Sequence, residues 1–315
     1  MYRSFTTFKS FKRVEGYRWL RSNGKPSFTS YIYEREGDIV YVMTTPVYTV
    51  APTTPVREVA RIMTTHDIRS IPIADARKVI KGIVVAMDLV NYLGGGNLYE
   101  IVKVKHGDNI YSALDEPVNS LMNDRPIIIS ISDSIVKALE KMITENVGVL
   151  PVVSDDGKVR GIVTERDLVK HFIEPRQWNI IVEDIMSKNV ITIRRDATLI
   201  DAAEIMVKLK IRRLPVINVK GEVMGMLTAK DYVRFFGTNR VFKKIVRGEL
   251  KEALRTPVSE VMNDKIITIE PSADIGEAAK KMLDNGTSSL LVTKDNMLVG
   301  IITEKDLIYA VALSR

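Results

Sequence analysis

Four segments of this chain follow one plan at nearly constant spacing, and no other feature restricts the fold as much. Each opens on a methionine closing a short run of mixed apolar and polar residues: Met43, Met122, Met186 and Met262. An extended stretch rich in Val, Ile and Thr follows, then a turn with Pro or Asp, then an amphipathic helical segment. Next comes an apolar strand centred on proline, Ile71-Pro72-Ile73, Leu150-Pro151-Val152 and Leu214-Pro215-Val216, whose fourth copy reads Leu290-Leu291-Val292. A second strand begins at Gly82, Gly161, Gly225 or Gly300, and each copy closes on an aspartate six residues later: Asp88, Asp167, Asp231 and Asp306. Methionine to aspartate spans 45 residues in three copies and 44 in the fourth.

The third copy shows the local physics. Val190-Ile191-Thr192-Ile193 is short and β-branched, which suits a buried strand. Leu199, Ala202, Ala203, Met206 and Leu209 recur at helical spacing. Asn218 to Gly221 supplies turn chemistry before the last strand, as Asp155-Asp156-Gly157 does in the second copy. The predicted order is strand, helix, strand, strand, helix, an α/β unit. Closing aspartate and next methionine are 34, 19 and 31 residues apart, and the two long connectors match, Leu114-Asp115-Glu116-Pro117-Val118 against Leu254-Arg255-Thr256-Pro257-Val258. The chain therefore reads as a duplicated pair. A unit of roughly 55 residues exposes much of its apolar sheet alone, so sheet-to-sheet pairing is expected.

Composition closes off several chemistries. The 315 residues are 45% hydrophobic and 27% charged, ordinary for a soluble globular chain. With no cysteine there are no disulfides, thiolate metal sites or cysteine nucleophiles, and three scattered histidines leave little for a transition metal. No membrane span or signal peptide is legible, so the expected location is cytoplasmic. Of the net charge of +7, residues 1–33 carry +6 and nine of the 21 aromatics, so the N-terminal arm is a separate electrostatic object. Such an arm can pack on protein, including a second copy, or bind nucleic acid through phosphates and stacking.

The four copies resemble cystathionine-β-synthase (CBS) domains, and the two pairs resemble Bateman modules. The resemblance divides the chain into an arm (1–38), units at 39–95, 118–174, 175–237 and 258–315, and connectors at 96–117 and 238–257. The four-unit layout, with Leu93-Gly94-Gly95-Gly96 after the first unit, is similar to archaeal relatives of the AMP-activated protein kinase γ subunit.

Three copies share Gly-apolar-apolar-Thr-x-basic-Asp: Thr164, Arg166 and Asp167; Thr228, Lys230 and Asp231; Thr303, Lys305 and Asp306. Thr at a strand-to-helix junction with an acid three residues on is a helix-capping signature. The resemblance implies a second use, in which the aspartate takes ribose hydroxyls and the threonine lies near phosphate; a cap can serve both. The first copy, Val85-Ala86-Met87-Asp88, lacks the hydroxyl and the base. The family's phosphate-contacting basic residues precede the proline-centred strand. There copy 3 has Arg212-Arg213 before Pro215, copy 1 has Arg69, copy 2 Gly148 and copy 4 Ser288. Those arginines also read as solvated charges at a helix end. His66 and His171 read as helix-end residues, and His106 carries no signal.

No nucleophile elbow, P-loop, metal cluster or histidine dyad appears. The expectation is a non-enzymatic regulatory module that binds AMP, ADP or ATP as ligand, carries no prosthetic group, and acts on a separate protein, with a homodimer open. The alternative is a regulator responsive to nucleotide or S-adenosylmethionine that binds nucleic acid through the basic arm.

Overall fold

A computed structural model describes residues 35–173, 178–238, 240–295 and 297–313; the basic aromatic stretch 1–33, with the reading of it as a packing or nucleic-acid arm, lies outside them. Unit 1 contains α1 (Val56–Thr65), β1 (Ser70–Ala74), β2 (Ile80–Val85) and α2 (Ala86–Gly94). A connector with α3 (Tyr99–His106) and α4 (Ile110–Leu114) leads to unit 2: β3 (Ile129–Ser130), α5 (Ile135–Thr144), β4 (Val149–Val153), β5 (Val159–Thr164) and α6 (Glu165–Phe172). Unit 3 has α7 (Val182–Ile185), β6 (Ile193–Arg194), α8 (Leu199–Leu209), β7 (Arg213–Ile217), β8 (Val223–Thr228) and α9 (Ala229–Phe236). After α10 (Leu250–Leu254), unit 4 has β9 (Thr268–Ile269), α11 (Ile275–Asp284), β10 (Ser289–Lys294), β11 (Met297–Thr303) and α12 (Glu304–Leu313). The α/β unit predicted from the repeat is present four times.

In units 2 to 4 the strand centred on Pro, or on Leu291, is the middle of three, parallel to the first strand and antiparallel to the last. The first strands are shorter than their composition predicts: Val190–Ile193 contributes only Ile193 to the ladder, and unit 1 keeps a single bridge, Val50 to Ile73. Proline supplies the reason, since Pro151 and Pro215 have no N–H to offer the first strand. Unit 4 has Leu291 there, and its N–H donates to Ile267 O at 3.1 Å, starting that ladder one residue earlier.

Pairing within each module exchanges segments between units. The residue after each repeat methionine hydrogen-bonds in both directions with the residue after the partner's glycine: Thr44 with Ile162, Asn123 with Ile83, Ser187 with Ile301, Asn263 with Met226, all at 2.8–3.2 Å. The methionine itself lies over that glycine. A Cβ on Gly161 would stand 2.7 Å from Met43 Sδ, one on Gly82 2.8 Å from Met122 Sδ, and one on Gly225 3.1 Å from Met262 Sδ; on Gly300 it would collide with Met186 Sδ. The two most regular letters of the repeat are thus halves of one contact made in trans.

The hydrophobic cores, by contrast, join the modules. One is shared by units 1 and 3, where α1 packs on α9 and α2 on α8, burying Met63, Tyr92, Leu93, Met206, Tyr232 and Phe235. The other is shared by units 2 and 4 through α6 and α12, burying Leu139, Leu168, Met282, Leu307 and Ile308. Pairing is therefore sheet edge to sheet edge within a module and helix to helix between modules, and the contacts close a ring in the order 1, 2, 4, 3. The expected glycine run has its place in this: a Cβ on Gly94 would overlap Ala203 of α8 and Tyr232 of α9. Among the described residues no helix is long and apolar enough to cross a membrane.

The Met186–Gly300 contact is open to a direct test, because the three atoms nearest a Cβ on Gly300 all belong to Met186. Gly300→Ala should cost about 1–3 kcal/mol in urea unfolding, as overpacking does. The same change in a Met186→Ala background should cost at least about 1 kcal/mol less, the coupling expected of touching residues. Additive costs would mean that the methionine does not occupy the glycine's space.

Candidate functional site

The closing aspartates are helix caps first. Asp167 Oδ2 accepts from Thr164 N at 2.8 Å and Thr164 Oγ1 at 2.7 Å. Asp231 and Asp306 repeat this with Thr228 and Thr303, while Asp88, among the described residues, has the Val85 N–H alone, at 2.7 Å. Thr198 and Asp201 make the same cap at the start of α8, exposed. A cap of this kind does not by itself mark a site; its position does.

That position is a cavity of about 700 Å³ at the ring's centre, lined by all four units. Ten of the expected residues meet there. Unit 1 brings Arg69 and Asp88; unit 2 brings Thr164, Arg166 and Asp167; unit 3 brings Arg212, Arg213, Thr228, Lys230 and Asp231. Pro215, Thr303, Lys305 and Asp306 are not among its lining residues. Pro215 lies within β7 opposite Met226, Asp306 is 2% exposed beneath the start of α12, and Lys305 hydrogen-bonds Asn146 Oδ1. Unit 4 presents Ser288 and its neighbours instead.

Along the chain the units alternate in charge at the centre, so that diagonally opposed units carry opposite signs. The residue before the middle strand accepts a backbone hydrogen bond from the first residue of the closing helix: Arg69 from Ala86, Gly148 from Glu165, Arg212 from Ala229, Ser288 from Glu304. Odd units therefore place Arg with Ala, and even units a small residue with Glu. The pairs join diagonally opposed units: Arg69 Nη2 to Glu304 Oε2 at 3.3 Å, and Arg212 Nη1 to Glu165 Oε2 at 3.7 Å. Arg166 Nε adds a 2.7 Å bond to Glu304 Oε1. Ser288 holds the remaining arginine, its carbonyl accepting from Arg213 Nη1 at 2.8 Å and its Oγ from Arg69 Nη1 at 2.9 Å. Glu165 and Glu304 were not anticipated from the sequence, although the unassigned position between Thr and the basic residue, Glu in two copies and Ala in two, carried the signal.

Arg213 lies among guanidinium groups of like charge. Desolvation, with the neighbouring Arg69 and Arg212, holds Arg213 down to about 10. Desolvation also pushes the Asp88 carboxyl up to about 6 against one backbone hydrogen bond, and raises Asp167 despite its Thr164 bonds. On the rim between units 1 and 3, Lys230 Nζ lies 2.5 Å from Asp67, and Arg234 bridges Asp231 at 3.0 Å and Asp67 at 3.4 Å. Tyr48, also unanticipated, lines the cavity and stacks on His66 with ring centroids 3.8 Å apart. His106 has a structural partner away from the centre, the buried carboxylate of Glu116 at 2.8 Å.

Comparison with known proteins bears on this geometry. A model of the CBS domain matches residues 37–95, 118–174, 182–237 and 258–313. The chain is 31% identical over 265 residues to the protein MJ1225 of Methanocaldococcus jannaschii, covering 83% of this chain and 94% of that one. It is 30% identical over 264 residues to a 33.4 kDa protein of a ribosomal RNA operon in Thermofilum pendens, covering 84% and 87%. The crystal structure of MJ1225, proposed as an archaeal homologue of γ-AMPK, gives a TM-score of 0.81 at 30% identity, covering 86% of this chain and 98% of that one.

Asp88 makes the cost of this site measurable. Its pKa is about 6 in the fold against 3.8 as a free side chain, so the folded state holds the proton more tightly. Stability from this group is complete below about pH 4 and is lost as the pH rises through 6. Asp88→Asn should match the parent near pH 4 and exceed it by about 1–3 kcal/mol above pH 7. Denaturant unfolding across that range checks it; a gain independent of pH would rule out ionisation as the cause.

Proposed function

The chain belongs to the CBS-domain family, its four units forming two Bateman modules, and on that premise we propose that it is a regulatory sensor of adenine nucleotides. AMP, ADP or ATP enters the central cavity as a ligand and leaves unchanged, with no catalytic step by this chain. The observation that carries the reading is the convergence of Arg69, Arg166, Arg212 and Arg213 on a cavity also lined by three helix-capping aspartates. Guanidinium forks are suited to phosphate oxygens, and an acceptor-only carboxylate is suited to a ribose diol. In Asp167 both capping bonds fall on Oδ2, which reserves Oδ1 for a sugar hydroxyl.

Unit 3 provides the best-equipped site, with Thr228, Lys230 and Asp231 behind Arg212 and Arg213. Unit 2 supplies Thr164, Arg166 and Asp167, and unit 1 supplies Arg69 and Asp88 without a hydroxyl. In unit 4, Thr303 and Asp306 cap the helix start, Lys305 bonds Asn146, and that unit's share of the site is Ser288. Occupancy would be read out by a separate cytoplasmic protein that distinguishes the filled ring from the empty one.

Calorimetry with AMP, ADP and ATP on the full chain tests this. Asp231→Ala should weaken AMP about ten- to a hundredfold, the loss of one hydrogen bond to a charged group. Asp201→Ala removes an identical cap outside the cavity and should leave affinity unchanged. Saturating nucleotide should raise the melting temperature, with about 2.7 kcal/mol of added stability at a hundredfold over Kd. Equal effects of the two substitutions, or steady hydrolysis abolished by Asp231→Ala, would refute the reading.

A further inference from the structure

Two carboxylates stand in the middle of the arginine cluster, where an anion-binding site has no evident use for them. Glu304, 1% exposed, bonds Arg166 at 2.7 Å and Arg69 at 3.3 Å. Glu165, 4% exposed, has Arg212 at 3.7 Å on one oxygen and, among the described residues, no hydrogen-bond partner on the other, Oε1. Its place is built for it: any Cβ on Gly148 would stand 2.7 Å from the Glu165 carboxyl carbon, so the missing arginine of unit 2 is the space that the glutamate fills. Buried ion pairs are poor stabilisers, because desolvation offsets their attraction, and apolar side chains hold units together at least as well. The alternation of Arg in units 1 and 3 with Glu in units 2 and 4 therefore calls for a reason other than adhesion.

We propose that Glu165 and Glu304 are internal competitors for the phosphate-binding arginines, and that they set how many phosphate charges the centre accepts. Within the cluster, Arg69, Arg166, Arg212 and Arg213 bring four positive charges, and the two glutamates cancel two. The remainder matches one phosphate monoester dianion. A triphosphate must displace both carboxylates from their arginines or lie against them, and buried like charges repel strongly at that range. Around the cluster Lys230 and Arg234 face Asp67 and Asp231, and Lys265 offsets one of the two other lining aspartates, Asp88 and Asp167, so the rest of the lining adds no positive charge for further phosphates. The glutamates thus favour a monophosphate over a triphosphate. Because Glu304 ties Arg69 of unit 1 to Arg166 of unit 2, a ligand that takes one arginine leaves the carboxylate to the other, which couples the units. The proposal rests on the nucleotide reading for its ligands but not for its charge logic.

The experiment titrates the full chain, Glu304→Gln and Glu165→Gln with AMP, ATP, inorganic phosphate and tripolyphosphate at fixed ionic strength. Glu304→Gln should strengthen ATP and tripolyphosphate by roughly tenfold or more, and AMP and phosphate by much less. Without ligand it should melt lower than the parent, and tripolyphosphate should raise its melting temperature further than the parent's. Glu165→Gln, which gives up only the 3.7 Å contact, should move the ATP-to-AMP ratio the same way by a smaller factor and keeps the test open if Glu304→Gln folds poorly. A ratio unmoved in both variants, or ATP and AMP weakened together, overturns the proposal. Tripolyphosphate separates the two readings. Its stronger binding to the variants of a protein that ignores nucleotides keeps the charge logic and removes the nucleotide reading; nucleotide binding with an unmoved ratio does the reverse.

Discussion

Where Met186 crosses onto unit 4 and lies over Gly300, and where its three counterparts do the same, two units agree on one relative position. The sulfur fills a depression that exists only because glycine has no Cβ, and paired backbone hydrogen bonds at the next residue fix the register. A close-packed interior tolerates no intermediate arrangement there. Each repeat is thereby incomplete alone: its methionine needs another unit's glycine, and its glycine another unit's methionine. The ring follows, because each module then turns its helices outward to a like pair, and units 1 with 3 and 2 with 4 close the two cores.

Ring closure creates the centre. Four equivalent strand-to-helix junctions converge, each presenting the residue before the middle strand and the first residue of the closing helix. Identical charges at all four would repel across the cavity. The odd and even units instead carry opposite signs, Arg69 and Arg212 against Glu304 and Glu165, so the diagonals attract while an excess of guanidinium charge remains. Burial beside Arg69 and Arg212 holds Arg213 below its ordinary value, and burial alone, against the pull of positive charge, makes the Asp88 carboxyl resist ionisation.

The distinction between cap and site also belongs to this geometry. Asp201 and Asp231 make the same hydrogen bonds to the same kind of threonine, yet one begins an exposed helix and the other lines the cavity. Asp306 is a third variation, buried outside the cavity lining. The capping bonds are alike in all three; what differs is what the ring places beside each, such as Arg234 on Asp231.

Local order decided itself from the sequence. The helical spacing of Leu199 to Leu209, the Asn218 and Gly157 turns and the Thr–Asp caps act over a few residues and formed where their patterns stood, whereas the β-branched run Val190–Ile193 kept only Ile193 in the ladder, opposite a strand with proline at its centre. The repeat period and the matched connectors also carried the pairing of units, since they record how often one sheet edge must find another. What no local pattern held was the partner of each conserved-looking letter. That Met43 seats on Gly161, that Glu304 meets Arg69 across 235 positions, and that the Thr303 trio stands outside the cavity while Arg213 reaches Ser288, depend on which faces the closed ring brings together. Those contacts join residues fixed by different units, so only the tertiary structure could choose among four chemically similar copies.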